Sequence, residues 1–217
     1  MTLYDVHICL NLTVLLAAAA ALLRSRLMPE YLYPFCLLLA IASCNELLSL
    51  YLVSAKRFNA VNGNGYILLE FLLLCVQYYY WAVLSRSKLL VCISAGILIW
   101  CTDNFIAGSI TNNNSLSRIC FAFLFVFLSI DMINRQIVFG KDSRYNSSTL
   151  MIVSGLLLFF ACKAYVEVFN AFDLQFSTAF YANIWFTLSV VNAAVNILFT
   201  IAMLCIPRKQ EFLWPSS

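Results

Sequence analysis

Glu46, Glu70, Asp103, Lys163 and Glu167 stand inside long apolar stretches of a chain that is 63% hydrophobic and only 11% charged. An ionised side chain at the centre of a bilayer costs about 2.5–3.5 kcal/mol even on lenient insertion scales, so each such residue needs a partner or a task. Four carboxylates against one amine would leave a net charge of −3 if all were ionised. A low-dielectric layer cannot hold that excess, so some acids must carry a proton or a cation must sit among them. The chemistry expected of such a group is binding of a proton, an alkali or metal cation, or a ligand with an amine or several hydroxyls.

Helical spacing gathers further polar residues around these charges. Ala42, Asn45, Glu46 and Ser49 fall on one stripe, as do Tyr66, Glu70 and Gln77. Lys163, Glu167 and Asn170 form a third stripe, and Trp185, Ser189, Asn192 and Asn196 a fourth. Lipid penalises such faces, so each is expected to point into a bundle.

The apolar runs that must position these stripes are seven, at about 7–23, 34–54, 65–84, 89–109, 117–134, 149–170 and 178–206. Each approaches the roughly 20 residues that cross about 30 Å of hydrocarbon at 1.5 Å per residue. The expectation is an all-α integral membrane protein, a single bundle of seven transmembrane helices over 1–217. Met1 to Asp5 carry no Lys or Arg, so the first run is read as a retained span and not a cleaved signal.

Basic residues orient the bundle. Arg24, Arg26, Arg86, Lys88, Arg135, Lys141, Arg144, Arg208 and Lys209 fall on one side, against Lys56, Arg57 and Arg118 on the other. That bias puts the N-terminus outside and the C-terminus in the cytoplasm. Tyr78, Tyr79, Tyr80 and Trp81 then fall at the cytoplasmic end of the third span, where an interfacial aromatic belt is expected.

Counting depth from the outer ends, Asn11, Glu46, Glu70, Asp103, Lys163 and Asn183 all lie roughly 8–10 Å below the surface, with Glu167 a turn higher. Together with Asn45 these eight residues are the candidate ligand-binding layer. Lys163 has three possible carboxylates, Glu167 one turn away and Glu46 or Glu70 across the bundle. A sparser layer of Gln77, Asp131 and Asn192 falls roughly 18–21 Å deep by the same count, although Asp131 also lies one turn before Arg135. The competing reading of all these groups is hydrogen-bonded glue between helices.

Several classes are disfavoured. A net charge of +3 with no basic run gives no footprint for nucleic acid. The nine cysteines sit in or at the ends of apolar runs with no CxxC pair. They are read as packing residues; with His7 the only histidine, a zinc site of the usual Cys/His kind is not expected, nor is a cofactor. His7 itself lies at the outer mouth of the first span, where a solvated ring is expected. Pro29, Pro34, Pro207 and Pro215 lie at or beyond span ends, so the helices are expected to run unbroken, unlike those of many transporters. No joint exceeds roughly fifteen residues, so no soluble catalytic or output domain is expected between spans.

The stretches NELLSLYLVSAKRFNAVNGNGYILLEFLLL (Asn45 to Leu74), SGLLLFFACKAYVEVF (Ser154 to Phe169) and VVNAAVNILFTIAMLC (Val190 to Cys205) resemble a group of small seven-span membrane proteins of Bacteroidota. The resemblance covers about half the chain. Members of that group often neighbour sensor kinases, which implies a signalling context and the inner membrane of a bacterium; Lys163 stands where the group more often has an uncharged residue. Three functions compete: a sensor or accessory signalling subunit with a membrane or cytoplasmic partner such as a sensor kinase, an intramembrane enzyme using carboxylates on a lipid, and a small solute or proton-coupled transporter. A retinal protein is the remote fourth, since microbial rhodopsins carry their lysine on the seventh helix and Lys163 lies on the sixth span.

Overall fold

In lipid, apolar runs of this length would leave the backbone no hydrogen-bonding partner but itself, which favours helix. The computed structural model describes residues 3–139, 147–172 and 176–206, with no strand among them. Lys141, Arg144, Arg208 and Lys209, which contribute to the charge bias, lie outside the described residues. Helices α1 (Leu3–Asn11) and α2 (Val14–Arg24) make up the first span. They are followed by α3 (Tyr33–Ser54), α4 (Ala60–Tyr80), α5 (Arg86–Cys101), α6 (Leu116–Phe139), α7 (Ser147–Phe172) and α8 (Thr178–Leu204). Among the described residues seven segments are long and apolar enough to cross a bilayer, as in a multi-pass membrane protein.

Helix ends have local causes. Ser85 and Ser177 are N-caps whose hydroxyls accept from Lys88 N and Phe180 N. The α3 and α4 helices stop where Lys56 and Ala82 take left-handed backbone, φ 52° and 58°. At α3, Arg57 N reaches Leu52 O at 2.8 Å; at α4, Val83 N reaches Tyr78 O at 3.0 Å, the double-bonded ending usually built on glycine. For this reason the third span runs Ala60–Tyr80 instead of reaching residue 84.

Packing closes the helices into a ring. The α2 helix lies against α3 and α8, α3 against α4, α4 against α5 and α6, α6 against α7, and α7 against α8. The α1 helix packs on α8. Very small residues let two of these pairs approach: a methyl group on Gly96 would run into the Phe71 ring, and one on Gly155 would stand 2.6 Å from Phe199. Rings fill the middle, with Phe71 stacked on Phe121 at 4.0 Å and Phe35 edge-on to Phe199 at 5.0 Å.

Three expectations fail here. The first span is not unbroken: at Leu12–Thr13, Thr13 N turns back to Leu10 O and Leu15 N to Leu12 O, tightening the helix by one residue per bond. The α5 helix likewise continues through a wide π-turn at Thr102–Ile106. The aromatic belt is only half a belt. Tyr79 and Tyr80 are exposed, whereas Tyr78 and Trp81 are fully buried, and the Tyr78 hydroxyl meets Ser129 Oγ at 2.5 Å. Packing against α6 draws Tyr78 inward, where it also stacks on Phe125, and Trp81 stands edge-on to Tyr78 at 5.3 Å.

The deeper polar layer dissolves as well. Gln77 is fully buried and bridges Phe35 N (2.8 Å) and Tyr31 O (2.7 Å), so it caps the start of α3. Asp131 pairs with Arg135 one turn on, at 3.0 Å and half exposed. Only Asn192 faces the interior cavities.

Candidate functional site

The polar stripes of α3, α4, α7 and α8 do converge, in the half of the bundle that contains the start of α1 and the α3–α4 and α5–α6 joints. Lys163 on α7 donates to Glu70 Oε2 on α4 at 2.6 Å, so of its three candidate carboxylates it takes the one across the bundle. Both side chains are almost wholly buried, and the ammonium also stands 5.3 Å and 5.4 Å from the centres of the Phe159 and Phe160 rings. The Tyr66 hydroxyl donates to the other Glu70 oxygen at 3.4 Å. Glu167, one turn further along α7, meets Arg118 at 3.3 Å and accepts from Ser115 Oγ at 3.0 Å and Asn170 Nδ2 at 3.4 Å. Arg118 also donates to Asn64 Oδ1 at 3.1 Å, which ties α4, α6 and α7 together.

Asp103 is used differently. Its Oδ2 accepts from both Ser117 N (2.8 Å) and Ser117 Oγ (2.6 Å), capping the first turn of α6 from the π-turn that ends the fourth span. Every acid in the layer therefore has a partner except one. Glu46 makes no hydrogen bond or ion pair among the described residues, and its side chain lines a cavity.

That cavity has a volume of about 370 Å³ and is walled by α1, α3, α4, α6, α7 and α8. Its polar wall includes His7, Asn11, Asn45, Glu46, Ser49 and Tyr66. A wider vestibule of about 810 Å³ adjoins it toward the joints, sharing Asn59, Gly63, Arg118 and Trp185. A narrower cleft of about 120 Å³ adjoins it on the other side, sharing Asn11, Glu46, Tyr66 and Lys163. Beyond the cleft the bundle is closed by Phe35, Leu74, Tyr78, Trp81 and Phe125, each essentially without exposure.

One wall is a polar seam between the first span and α8. Asn196 Nδ2 donates to Thr13 Oγ1 at 3.1 Å, beside the helix break, and Asn192 Nδ2 donates to Asn11 Oδ1 at 3.4 Å. Asn11 Nδ2 in turn reaches His7 Nε2 at 3.2 Å, and His7 Nδ1 meets Ser189 Oγ at 2.6 Å. Because the Ser189 hydroxyl donates to Trp185 O at 3.0 Å, the direction of donation fixes the ring with its hydrogen on Nδ1 and a lone pair on Nε2. His7 is thus a fastened member of the wall instead of a solvated ring.

Of the eight residues singled out by sequence, Asn11, Asn45, Glu46 and Lys163 line the chamber, and Glu70 lines the cleft below it. Asn45 is engaged by Asn62 Nδ2 at 3.0 Å. Glu167 lines the vestibule, a turn nearer the joints. Asp103 is set apart under α6, and Asn183 is exposed on α8 and lines none of the three cavities. Depth alone placed Asn183 with the others; rotation about the α8 axis takes it away. Arg118 was missed: counted as an end charge, it reaches inward because Glu167 and Asn64 wait for it. Its place in the first turn of α6, on the same side as Glu167, was the available signal.

Among the described residues no three His, Cys, Asp or Glu side chains come close enough to hold a metal ion, and all nine cysteines are free thiols. The arrangement offers a cation the Glu46 carboxylate beside the hydrogen-bonding groups of Asn11, Asn45, Ser49 and Tyr66, with Lys163 and Arg118 in the same wall each paired to a glutamate. Compared with protein-family models, with curated proteins and with solved structures, the chain matches none.

Proposed function

We propose that this chain is a membrane-embedded sensor or accessory signalling subunit that takes a small cationic ligand into the Glu46 chamber from outside the cell. The observation that carries this reading is the unpaired Glu46 carboxylate in a cavity whose other charges are matched, Lys163 with Glu70 and Arg118 with Glu167. One uncompensated acid in a low-dielectric chamber attracts one positive charge and repels anions. The sealed floor of aromatic and aliphatic side chains favours a receptor over a conduit. The breaks at Leu12–Thr13 and Thr102–Ile106 are the feature a carrier would use, and they keep a small transporter as the second reading. The lipid-modifying enzyme gains less, because Glu70, Glu167 and Asp103 are all held by partners and only Glu46 is left to act on a substrate.

In this reading the N-terminus faces outward and the C-terminus the cytoplasm. Arg24, Arg26, Arg86, Lys88 and Arg135 then lie on the cytoplasmic side. A C-terminal fusion to a reporter that fluoresces only when folded in the cytoplasm should be bright, and the same reporter at the N-terminus dark. The reverse pattern inverts the topology and turns the chamber inward.

Signalling is supported by the resemblance to seven-span proteins that neighbour sensor kinases, in a bacterial inner membrane. Gentle solubilisation of native membranes should recover the chain together with such a kinase, and the kinase's output should respond to an added amine only when Glu46 is present. Recovery of the chain alone, with kinase output unaltered by its deletion, removes the sensor reading and leaves the transporter.

A further inference from the structure

We infer that the ligand of the Glu46 chamber is an amine bearing a short apolar tail, about four or five carbons or one small ring. This rests on the reading of Glu46 as the cation site and adds what lies beneath it. The Glu46 side chain lines two cavities at once, the polar chamber and the cleft of about 120 Å³. The carboxylate therefore stands at a seam. On one side are Asn45, Ser49 and Asn59; on the other, Leu38, Leu39, Leu74, Leu156, Phe160 and Phe199.

Polar groups on the cleft wall already have protein partners: Glu70 holds Lys163 and the Tyr66 hydroxyl, Asn192 holds Asn11, and Asn196 holds Thr13. What those pairs leave facing the cleft is mostly hydrocarbon. An apolar cavity of about 150 Å³ stays dry and takes a benzene ring, so 120 Å³ holds roughly four or five carbons. An ammonium anchored on Glu46 would point such a tail straight into it. The same chemistry could be presented by a free amine or by an amine whose chain belongs to the membrane, and tail length separates the two sources.

The test is a calorimetric titration of the purified chain in detergent with straight-chain primary amines from methylamine to octylamine. Affinity should climb about fourfold per methylene. The gain from methylamine to butylamine should reach about 60-fold on that scale, then level off or fall from hexylamine onward. Filling the cleft by Ala42→Leu should collapse the butylamine-to-methylamine ratio toward one; Leu39→Phe is the second filling variant should the first fail to fold. Affinity independent of chain length overturns the tail cleft and leaves the cation site standing. Affinity that still climbs through octylamine overturns a closed cleft and assigns the tail to the membrane. Methylamine affinity unchanged by Glu46→Gln, or no binding of any amine, sinks the cation site itself and this inference with it.

Discussion

Lys163→Met should destabilise the protein by about 3–5 kcal/mol, and adding Glu70→Gln should recover most of that loss. The ammonium and carboxylate meet at 2.6 Å with side chains only 12% and 9% exposed, inside an apolar ring of helices. Two charges in that position cost much to desolvate, so the pair adds little net stability compared with a neutral pair of similar shape. Breaking it is another matter, because a lone carboxylate is left buried in the cleft with one long bond from Tyr66. Glutamine at position 70 keeps the Tyr66 contact and removes the charge, which is why the second substitution helps. Unfolding of the four variants in one detergent by denaturant measures the cycle. A single substitution as stable as wild type, or a double variant as damaged as the single, would show that Lys163 and Glu70 are not coupled through this contact. The half-exposed Asp131–Arg135 pair, by contrast, is of the kind worth about 0–1 kcal/mol.

The parts of this site that could be read in the sequence are those governed by the helical period. Asn45, Glu46 and Ser49 recur at spacings that force one face, as do Ser189, Asn192 and Asn196, and lipid leaves such a face only the interior. Depth along a helix is equally local, and so Glu70 and Lys163, ninety-three residues apart, could be placed at one level. Azimuth between helices is not local. Asn183 shares the depth of the layer and still turns outward, and Asp103 shares it and is turned beneath α6 to cap Ser117.

Caps made across the bundle are invisible for the same reason: Gln77 serves the start of α3 from forty-two residues away. Left-handed helix ends at Lys56 and Ala82, and a break at Leu12–Thr13, carry no glycine or proline to announce them. Tertiary contacts hold two of these three places. The break is sutured to α8 through Thr13 and Asn196, and the Ala82 carbonyl accepts from Arg135 at 3.1 Å.

Glu46→Gln should lower the affinity for a simple amine by about 10- to 100-fold, the worth of one charge-assisted hydrogen bond, while leaving unfolding stability level with wild type or slightly raised. The asymmetry with position 70 follows from partners. Glu70 is held by Lys163 and Tyr66, so neutralising it alone strands an ammonium; Glu46 is held by nothing among the described residues, so neutralising it removes only an uncompensated charge. Chemical labelling reads the same difference without a ligand. A membrane-permeant carbodiimide attacks carboxyl groups that no cation holds, so the principal adduct, located by mass spectrometry of peptides, should fall on Glu46 and spare Glu70 and Glu167. Butyltrimethylammonium, which carries the charge and the tail but no N–H that could couple to the activated carboxyl, should protect Glu46 when added first. Labelling spread evenly over the three glutamates would mean that the ion pairs open as readily as the free acid, and labelling of Glu70 with Glu46 untouched would reverse the roles assigned to them. Stability that falls on Glu46→Gln as steeply as on Lys163→Met would make Glu46 a structural acid. A site that loses its ligand and keeps its fold is what separates a binding carboxylate from one that holds the helices together.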